Sequence, residues 1–280
     1  MASSGYATAE GQKALWGGQN GEAWVAAQDL LDQLFRPLEA MLVDSVHEGA
    51  RVVDIGCGTG STTVAIARKA GPDGHAVGVD ISEPMIAAAR RRAEHDRSAA
   101  EFIRADAQDY PLEPDSFDMI VSRFGVMFFS DPVAAFANLR RAARPGGEMR
   151  LLAWRGMDDN PFMTAAERAA APLLPDLPVR KPDAPGQFAF ADRDRVGRIL
   201  EESGWTDIDI QPVDVPCTMP AAELEFYFTR LGPVGLALAS ADDALRAKVV
   251  DTVRPAFAPF VHGPLVRFTA ACWSISATSA

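Results

Sequence analysis

"RVVDIGCGTGSTTVAIARKA", residues 51–70, is the stretch on which the fold turns. Its first five residues, apolar and branched around one acid, read as a buried strand, and its last ten read as the opening of a helix. Gly56, Gly58 and Gly60 stand on alternate positions between them, at a strand-to-helix turn that lets a ligand approach bare backbone. Such a turn presents free N–H groups and the positive end of the helix dipole, which suits an anionic group.

Downstream the period keeps alternating. Strands are expected at 51–55, 76–80, 101–105, 117–122 and 148–154, with helices at 60–69, 83–95 and 131–143. That alternation implies an α/β fold, a doubly wound and mostly parallel sheet with helices on both faces. Asp131 followed by Pro132 is an N-cap with proline at the first helical position, and Pro145, Gly146 and Gly147 form a turn into "EMRLLAW". Upstream, residues 21–46 read as a helix carrying Leu31, Phe35, Leu38 and Leu42 on one face, with Pro37 expected to bend or split it. Beyond Trp154 the pattern loosens into a helix plus a long loop rich in proline and alanine. A helix at 192–203, a strand near 206–213, helical stretches between 220 and 260 and a last strand near 265–275 follow. The expected partition is a helical cap at 1–46, a core at 47–154, a lid at 155–190, core again at 191–216, a helical lid at 217–262 and a final core strand at 263–280.

The chain has 280 residues, 48% of them hydrophobic, enough for one large domain. A formal net charge of −11 argues against a nucleic-acid partner, which needs a basic face. The basic run "ARRRAEHDR" (89–97) reads as a solvated helix face. The N-terminus lacks the pattern of a secretory signal and no run of about 18 apolar residues occurs, so a cytoplasmic protein with no membrane span is expected. Cys57, Cys217 and Cys272 are spaced for neither a disulfide framework nor a metal site, and read as reduced, packed thiols.

Two nucleotide-binding readings compete for the glycine turn. The dinucleotide pattern wants glycine or alanine where Ser61 stands, whereas the spacing found is Asp54, Gly56, Gly58, Gly60. At this point the chain resembles the class I S-adenosylmethionine-dependent methyltransferases, over about residues 50–155. The resemblance extends to "AVGVDIS" (76–82), "IRADAQDY" (103–110) and "FDMIVSRFGVMFFSDP" (117–132) with "RPGGEM" (144–149). It implies a Rossmann-like methyltransferase fold with a seven-stranded sheet, and transfer of a methyl group from S-adenosyl-L-methionine to an acceptor, leaving S-adenosyl-L-homocysteine.

The resemblance also assigns residues. Asp80, with Ile81 beside it, matches the acid that holds the ribose, and an ionised carboxylate can accept from both adjacent hydroxyls. Asp106 and Ala107 match the adenine-reading loop, and Met85 is placed to pack on the adenine face. The glycine turn, with Cys57 as a small residue in a crowded place, leaves room for the methionine portion. Asp54 either lies near the cofactor's amino group or only braces the turn. Ser122 and Arg123 end the fourth strand on the cofactor side, whereas Asp118 at its beginning reads as structural.

The acceptor is less legible. No "NPPY" or "DPPY" tetrapeptide follows the fourth strand, where the sequence is "SRFGV". The layout resembles methyltransferases of quinone precursors and secondary metabolites, so a small-molecule acceptor methylated on oxygen, carbon or nitrogen is expected. Phe162, Phe188, Phe190, Tyr227 and Phe228 are candidates for its pocket, and Trp24, Leu31 and Phe35 read as core. The resemblance makes the sixth strand parallel and the seventh antiparallel, which puts His262 on the cofactor face as a candidate general base. Two other readings stay open: a homologue that binds the cofactor without methylating, and a nicotinamide-dependent oxidoreductase, for which no clear tyrosine–lysine pair is seen.

Overall fold

The computed structural model describes residues 8–180 and 184–280. Residues 1–7 of the expected cap and 181–183 of the expected first lid lie outside the described residues. The glycine turn joins β1 (Arg51–Ile55) to α4 (Ser61–Ala70), as its periodicity requires. β2 (His75–Asp80), α5 (Glu83–Asp96), β3 (Glu101–Arg104), β4 (Phe117–Arg123), α6 (Pro132–Ala142) and β5 (Ala143–Trp154) continue the alternation. The sheet runs in the order β3-β2-β1-β4-β5, all parallel. It is completed by β8 (Leu265–Ser279), antiparallel to β5 and to the edge strand β6 (Trp205–Pro220). A two-residue strand, β7 (Val261–His262), folds back on the start of β8, which makes eight strands in place of the expected seven. Strand order reverses between β1 and β4, and a crevice outside the carboxyl ends of the strands is where ligands bind in such sheets.

Three expectations are corrected. Pro145, Gly146 and Gly147 do not form a separate turn: they lie inside β5 as an irregularity, where pairing slips from Phe117↔Ala143 to Met119↔Glu148 and Gly146 takes φ +76°. Pro37 does not split its helix, one of the two outcomes expected of it. α3 (Gln28–Asp44) is continuous through it, because the helix is held down by a buried stripe of Leu30, Leu31, Leu34, Phe35, Leu38 and Leu42. The break comes earlier, at Ala27, which separates α3 from α2 (Gln19–Ala26), itself preceded by α1 (Ala9–Gly17). The second lid also begins later than expected, since β6 runs on to Pro220 paired with Leu265.

α3 packs on β4, β5 and β6, and its leucines join the main core with strand residues such as Ile120, Leu151 and Ile275. α7 (Pro161–Ala170) follows β5, α8 (Arg193–Glu202) precedes β6, and α9 (Leu224–Arg230), α10 (Gly232–Ala239) and α11 (Asp243–Val253) connect β6 to β8. The three cysteines are free and buried. Asp118 accepts from the Arg51 backbone N–H at 2.8 Å and pairs with Arg144 at 2.6 Å, a brace at the end of the sheet away from the crevice. Among the described residues no helix is long and apolar enough to cross a membrane.

Candidate active site

One cavity of about 1620 Å³ opens at the carboxyl ends of β1 to β4. Asp54, Gly56, Cys57 and Gly58 line it from β1 and its turn, Asp80, Ile81 and Met85 from β2 and α5, Asp106 and Ala107 from the segment after β3, and Arg123 from the end of β4. The topology has thus gathered residues from four separate loops.

Asp80 is 7% exposed. Its Oδ2 accepts from Gly58 N at 2.8 Å and its Oδ1 from Ser82 N at 2.8 Å, so the carboxylate is fixed in orientation by the backbone of two turns. Each oxygen keeps a further lone pair for a ligand hydroxyl. Burial raises its carboxyl above the usual range, against the lowering by those N–H groups. Asp54 lies deeper, bonded through Oδ2 to the Thr63 hydroxyl at 2.7 Å. Burial pushes its carboxyl up to about 6, with Thr63 and the Arg123 charge pulling the other way. Asp106 is half-buried and accepts from Gln108 N at 3.0 Å, and burial raises it as well. Gln108 in turn accepts from Ser130 and from Asp131 N, which ties this loop to the start of α6.

The glycines divide by role. A Cβ on Gly56 would meet Gly125 Cα at 2.6 Å, and one on Gly60 would meet the Phe102 ring at 2.7 Å and Ala89 Cβ at 2.8 Å. Those two permit backbone and helix to pack on each other. At Gly58 the nearest atom is Met85 Sδ at 3.8 Å, so this glycine alone keeps open space over the turn. All three hold positive φ, and Gly60 caps α4 without a side-chain bond to the helix, leaving its first N–H groups to a ligand. Arg123 stands beside that helix start, 3.2 Å from Ser61 Oγ, with Phe35 O and Glu39 on its other side.

Two expected residues stay outside the lining: Gly60, which packs beneath the turn, and Ser122. Ser122 is fully buried, donates to Ile55 O at 2.7 Å and accepts from Gly125 N at 3.1 Å, so its hydroxyl is spent on holding β4 to the glycine turn. His262 is not brought to the site either. The β7–β8 hairpin begins seven residues beyond Cys272, the partner of the last residue of β5. That is roughly 23 Å of strand at about 3.3 Å per residue. The chain does return on the cofactor face, but it overshoots the cavity and leaves His262 exposed.

Other residues enter that the sequence did not single out. Gln12, Trp16 and Asn20 line the cavity from the N-terminal helices. Trp16 packs edge-on against Phe128 at 5.1 Å, and its carbonyl accepts from the Ser82 hydroxyl at 2.7 Å. No periodic or motif signal marks Trp16, since its place depends on a contact 66 residues away. Trp24, Leu31 and Phe35, read as core, line the cavity too, and Leu31 and Phe35 are also buried in the core. Of the candidate aromatics, Phe162, Phe188, Tyr227 and Phe228 line it, whereas Phe190 packs against Phe136.

Residues 52–147 match the family model described as "Methyltransferase domain". The chain is 26% identical over 181 residues to the demethylmenaquinone methyltransferase of Halalkalibacterium halodurans, covering 60% of this chain and 72% of that protein. It is 31% identical over 112 residues to the enzyme of the same name from Bacillus subtilis, covering 40% of this chain and 48% of that one, so the chain spans about half of this second relative. In fold it is similar to the crystal structure of the YcgJ protein from Bacillus subtilis, with TM-score 0.57 and 16% identity, covering 87% of this chain and 98% of the other. With the Asp54-to-Gly60 turn, the acid ending β2 and the strand order meeting at one cavity, residues 52–147 form a methyltransferase domain of the class I S-adenosylmethionine-dependent kind.

Proposed function

We propose that this protein methylates a small apolar acceptor, with S-adenosylmethionine and acceptor held side by side in the one continuous cavity. The observation that carries this is the cavity's size and its two unlike halves. About 1620 Å³ exceeds the roughly 300–1,000 Å³ of an ordinary small-molecule site, and the half facing the strand ends is acidic while the half under the connecting helices is aromatic.

The residues of the acidic half fit the cofactor. Asp80 is oriented by Gly58 and Ser82 to accept from two ribose hydroxyls. Asp106 takes the adenine amino group, and Met85 supplies a polarizable surface for the ring. The open N-terminus of α4, with Arg123 beside it, suits the methionine carboxylate, and Asp54 suits the ammonium. When bound, the cofactor supplies an electrophilic methyl group on a sulfonium sulfur, an excellent leaving group. What remains for the chain is to align the acceptor in line with that bond and to exclude water. Among the described residues no histidine lines the cavity, which favours orientation over general-base catalysis. The small-molecule reading keeps to acceptors of the quinone-precursor and secondary-metabolite type, and a cytoplasmic setting accords with it. Of the expected cap, α1 and α2 close over the cofactor half, while the described residues of 155–190 and the helices after Pro220 up to residue 262 act as lids over the acceptor half.

Calorimetry with S-adenosylhomocysteine and NADH, followed by transfer of a labelled methyl group to a panel of phenols, enols and amines, tests this. S-adenosylhomocysteine binding with no NADH heat is expected. NADH binding without a response to S-adenosylhomocysteine would reverse the assignment, and cofactor binding with an acceptor half that takes up no small apolar molecule would favour a non-methylating homologue.

A further inference from the structure

The aromatic half of the cavity is built on one shelf. Phe162 stacks flat on Phe268 at 3.9 Å and meets Tyr227, Phe257 and Phe260 at 5.2–5.3 Å. One helical step along, Met163, Ala166 and Glu167 of α7 face the cavity at the i, i+3, i+4 spacing of a single stripe. Two polar groups from other segments dock on this stripe. Arg180 forks onto Glu167, with Nε 2.9 Å from Oε2 and Nη2 on Oε1, and lies over the Phe188 ring at 5.0 Å. The Tyr227 hydroxyl, from α9, lies 3.3 Å from Met163 Sδ.

These two groups differ in what they have left to offer. The ion pair is compensated in charge on both sides: the carboxylate takes two donors and the guanidinium has its anion, so the pair offers a charged ligand little net charge. Asp176, the other acid lining this half, is exposed at the surface. A charged acceptor would shed its water here without gaining a counter-ion. Tyr227 is the opposite case. A thioether is a weak acceptor, so a phenol held among aromatic rings with sulfur as its partner has a donor that is poorly used, and a ligand oxygen would satisfy it better.

We propose that Tyr227 anchors the acceptor by donating a hydrogen bond to one of its oxygens, and that the acceptor is a bulky, uncharged molecule with an aromatic ring seated beside Tyr227 and Phe188, the partly exposed rings lining this half. The proposal rests on the methyltransferase reading for the word acceptor, but its binding chemistry is separable. The probes are naphthalene, 1-naphthol, 1-naphthoate and 1-naphthylmethylammonium, titrated by fluorescence near pH 7 with and without S-adenosylhomocysteine. The wild-type protein is expected to bind 1-naphthol about two- to tenfold tighter than naphthalene, the worth of one net hydrogen bond, and both charged probes more weakly than naphthalene. Tyr227→Phe should erase the preference for 1-naphthol and leave naphthalene unchanged. Met163→Leu, which removes the competing sulfur, should keep or strengthen the preference. A preference that survives Tyr227→Phe, one that Met163→Leu abolishes, or a charged probe that outbinds 1-naphthol overturns the proposal. Failure of S-adenosylhomocysteine to bind would sink the methyltransferase reading instead, since the probe preference is also read in its absence.

Discussion

At Gly60 an added methyl would press into the Phe102 ring and Ala89 at a residue holding φ +83°, whereas at Gly58 it would enter open cavity. Gly60→Ala is therefore expected to cost about 2 kcal/mol or more through overpacking and left-handed backbone strain, read as a lower midpoint in urea. Gly58→Ala should lose about 1 kcal/mol of stability but a larger share of its affinity for S-adenosylhomocysteine. Equal stability losses would mean that the two glycines serve the same purpose. Asp54 adds a pH dependence. Its carboxyl is raised by burial to about 6 in the free protein, and an ammonium beside it favours the ionised form. Affinity for S-adenosylhomocysteine should then hold above pH 6 and fall by up to about tenfold per unit below it, with a proton released on binding in that range. Asp54→Asn should bind more weakly at pH 7 and show a flatter profile. A wild-type profile that is flat from pH 5 to 7 would remove Asp54 from the ammonium site. Asp80→Ala is expected to weaken S-adenosylhomocysteine by about 1.5–3 kcal/mol, the range for hydrogen bonds to a charged group, by calorimetry on folded protein.

Among the elements, the N-terminal helices differ in what they bury. α3 carries Leu34 and Leu38 at full burial, so removing it would open the main core. α1 and α2 instead rest on the half of the cavity that faces the strand ends, through Trp16 on Phe128 and the Ser82 hydroxyl on the Trp16 carbonyl. Deleting residues 1–27 should leave a cooperative thermal transition while lowering cofactor affinity and turnover, whereas deletion through residue 46 should abolish folding. If the shorter deletion turns over normally, α1 and α2 do not close the site. The loop after β3 and the turn after β4 were legible as elements because each carries a marked residue at or just past its strand end, Asp106 two residues beyond β3 and Arg123 at the end of β4. The interruption at Ala27 was not legible, since nothing local forbids a helix there. Pro37 shows the converse, a local helix breaker inside a helix that six buried side chains keep unbroken.

On the scale of the whole molecule, a ligand held by four loops and three N-terminal helices should couple to global stability. S-adenosylhomocysteine at 100 times its Kd is expected to add about 2.7 kcal/mol, seen as a rise of several degrees in Tm, with NADH giving none; no rise at saturation would mean that the cavity does not take the cofactor. The fold and the lining of the cavity at the strand ends were legible in the sequence because they are built from short-range features: the alternation of strand and helix, glycines at fixed spacing, and acids such as Asp80 that end their own strands. The residues judged by distance from the sheet fared differently. His262 was placed on the right face, but the length of β8 past β5 carried it beyond the cavity, and strand overhang is set by pairing between segments far apart in sequence. Ser122 sat at the right strand end, yet its hydroxyl turned to Ile55 O, a partner 67 residues away. Of the aromatic half, the sequence offered single candidates such as Phe162 and Tyr227, but their grouping with Met163 and Arg180 was decided by tertiary structure: these residues come from α7, α9 and the segment before residue 181, and only packing on a common aromatic shelf brings them together. Local periodicity fixes which way a strand or helix faces, while the meeting of side chains across long loops depends on the whole set of packed surfaces, which no single stretch of sequence encodes.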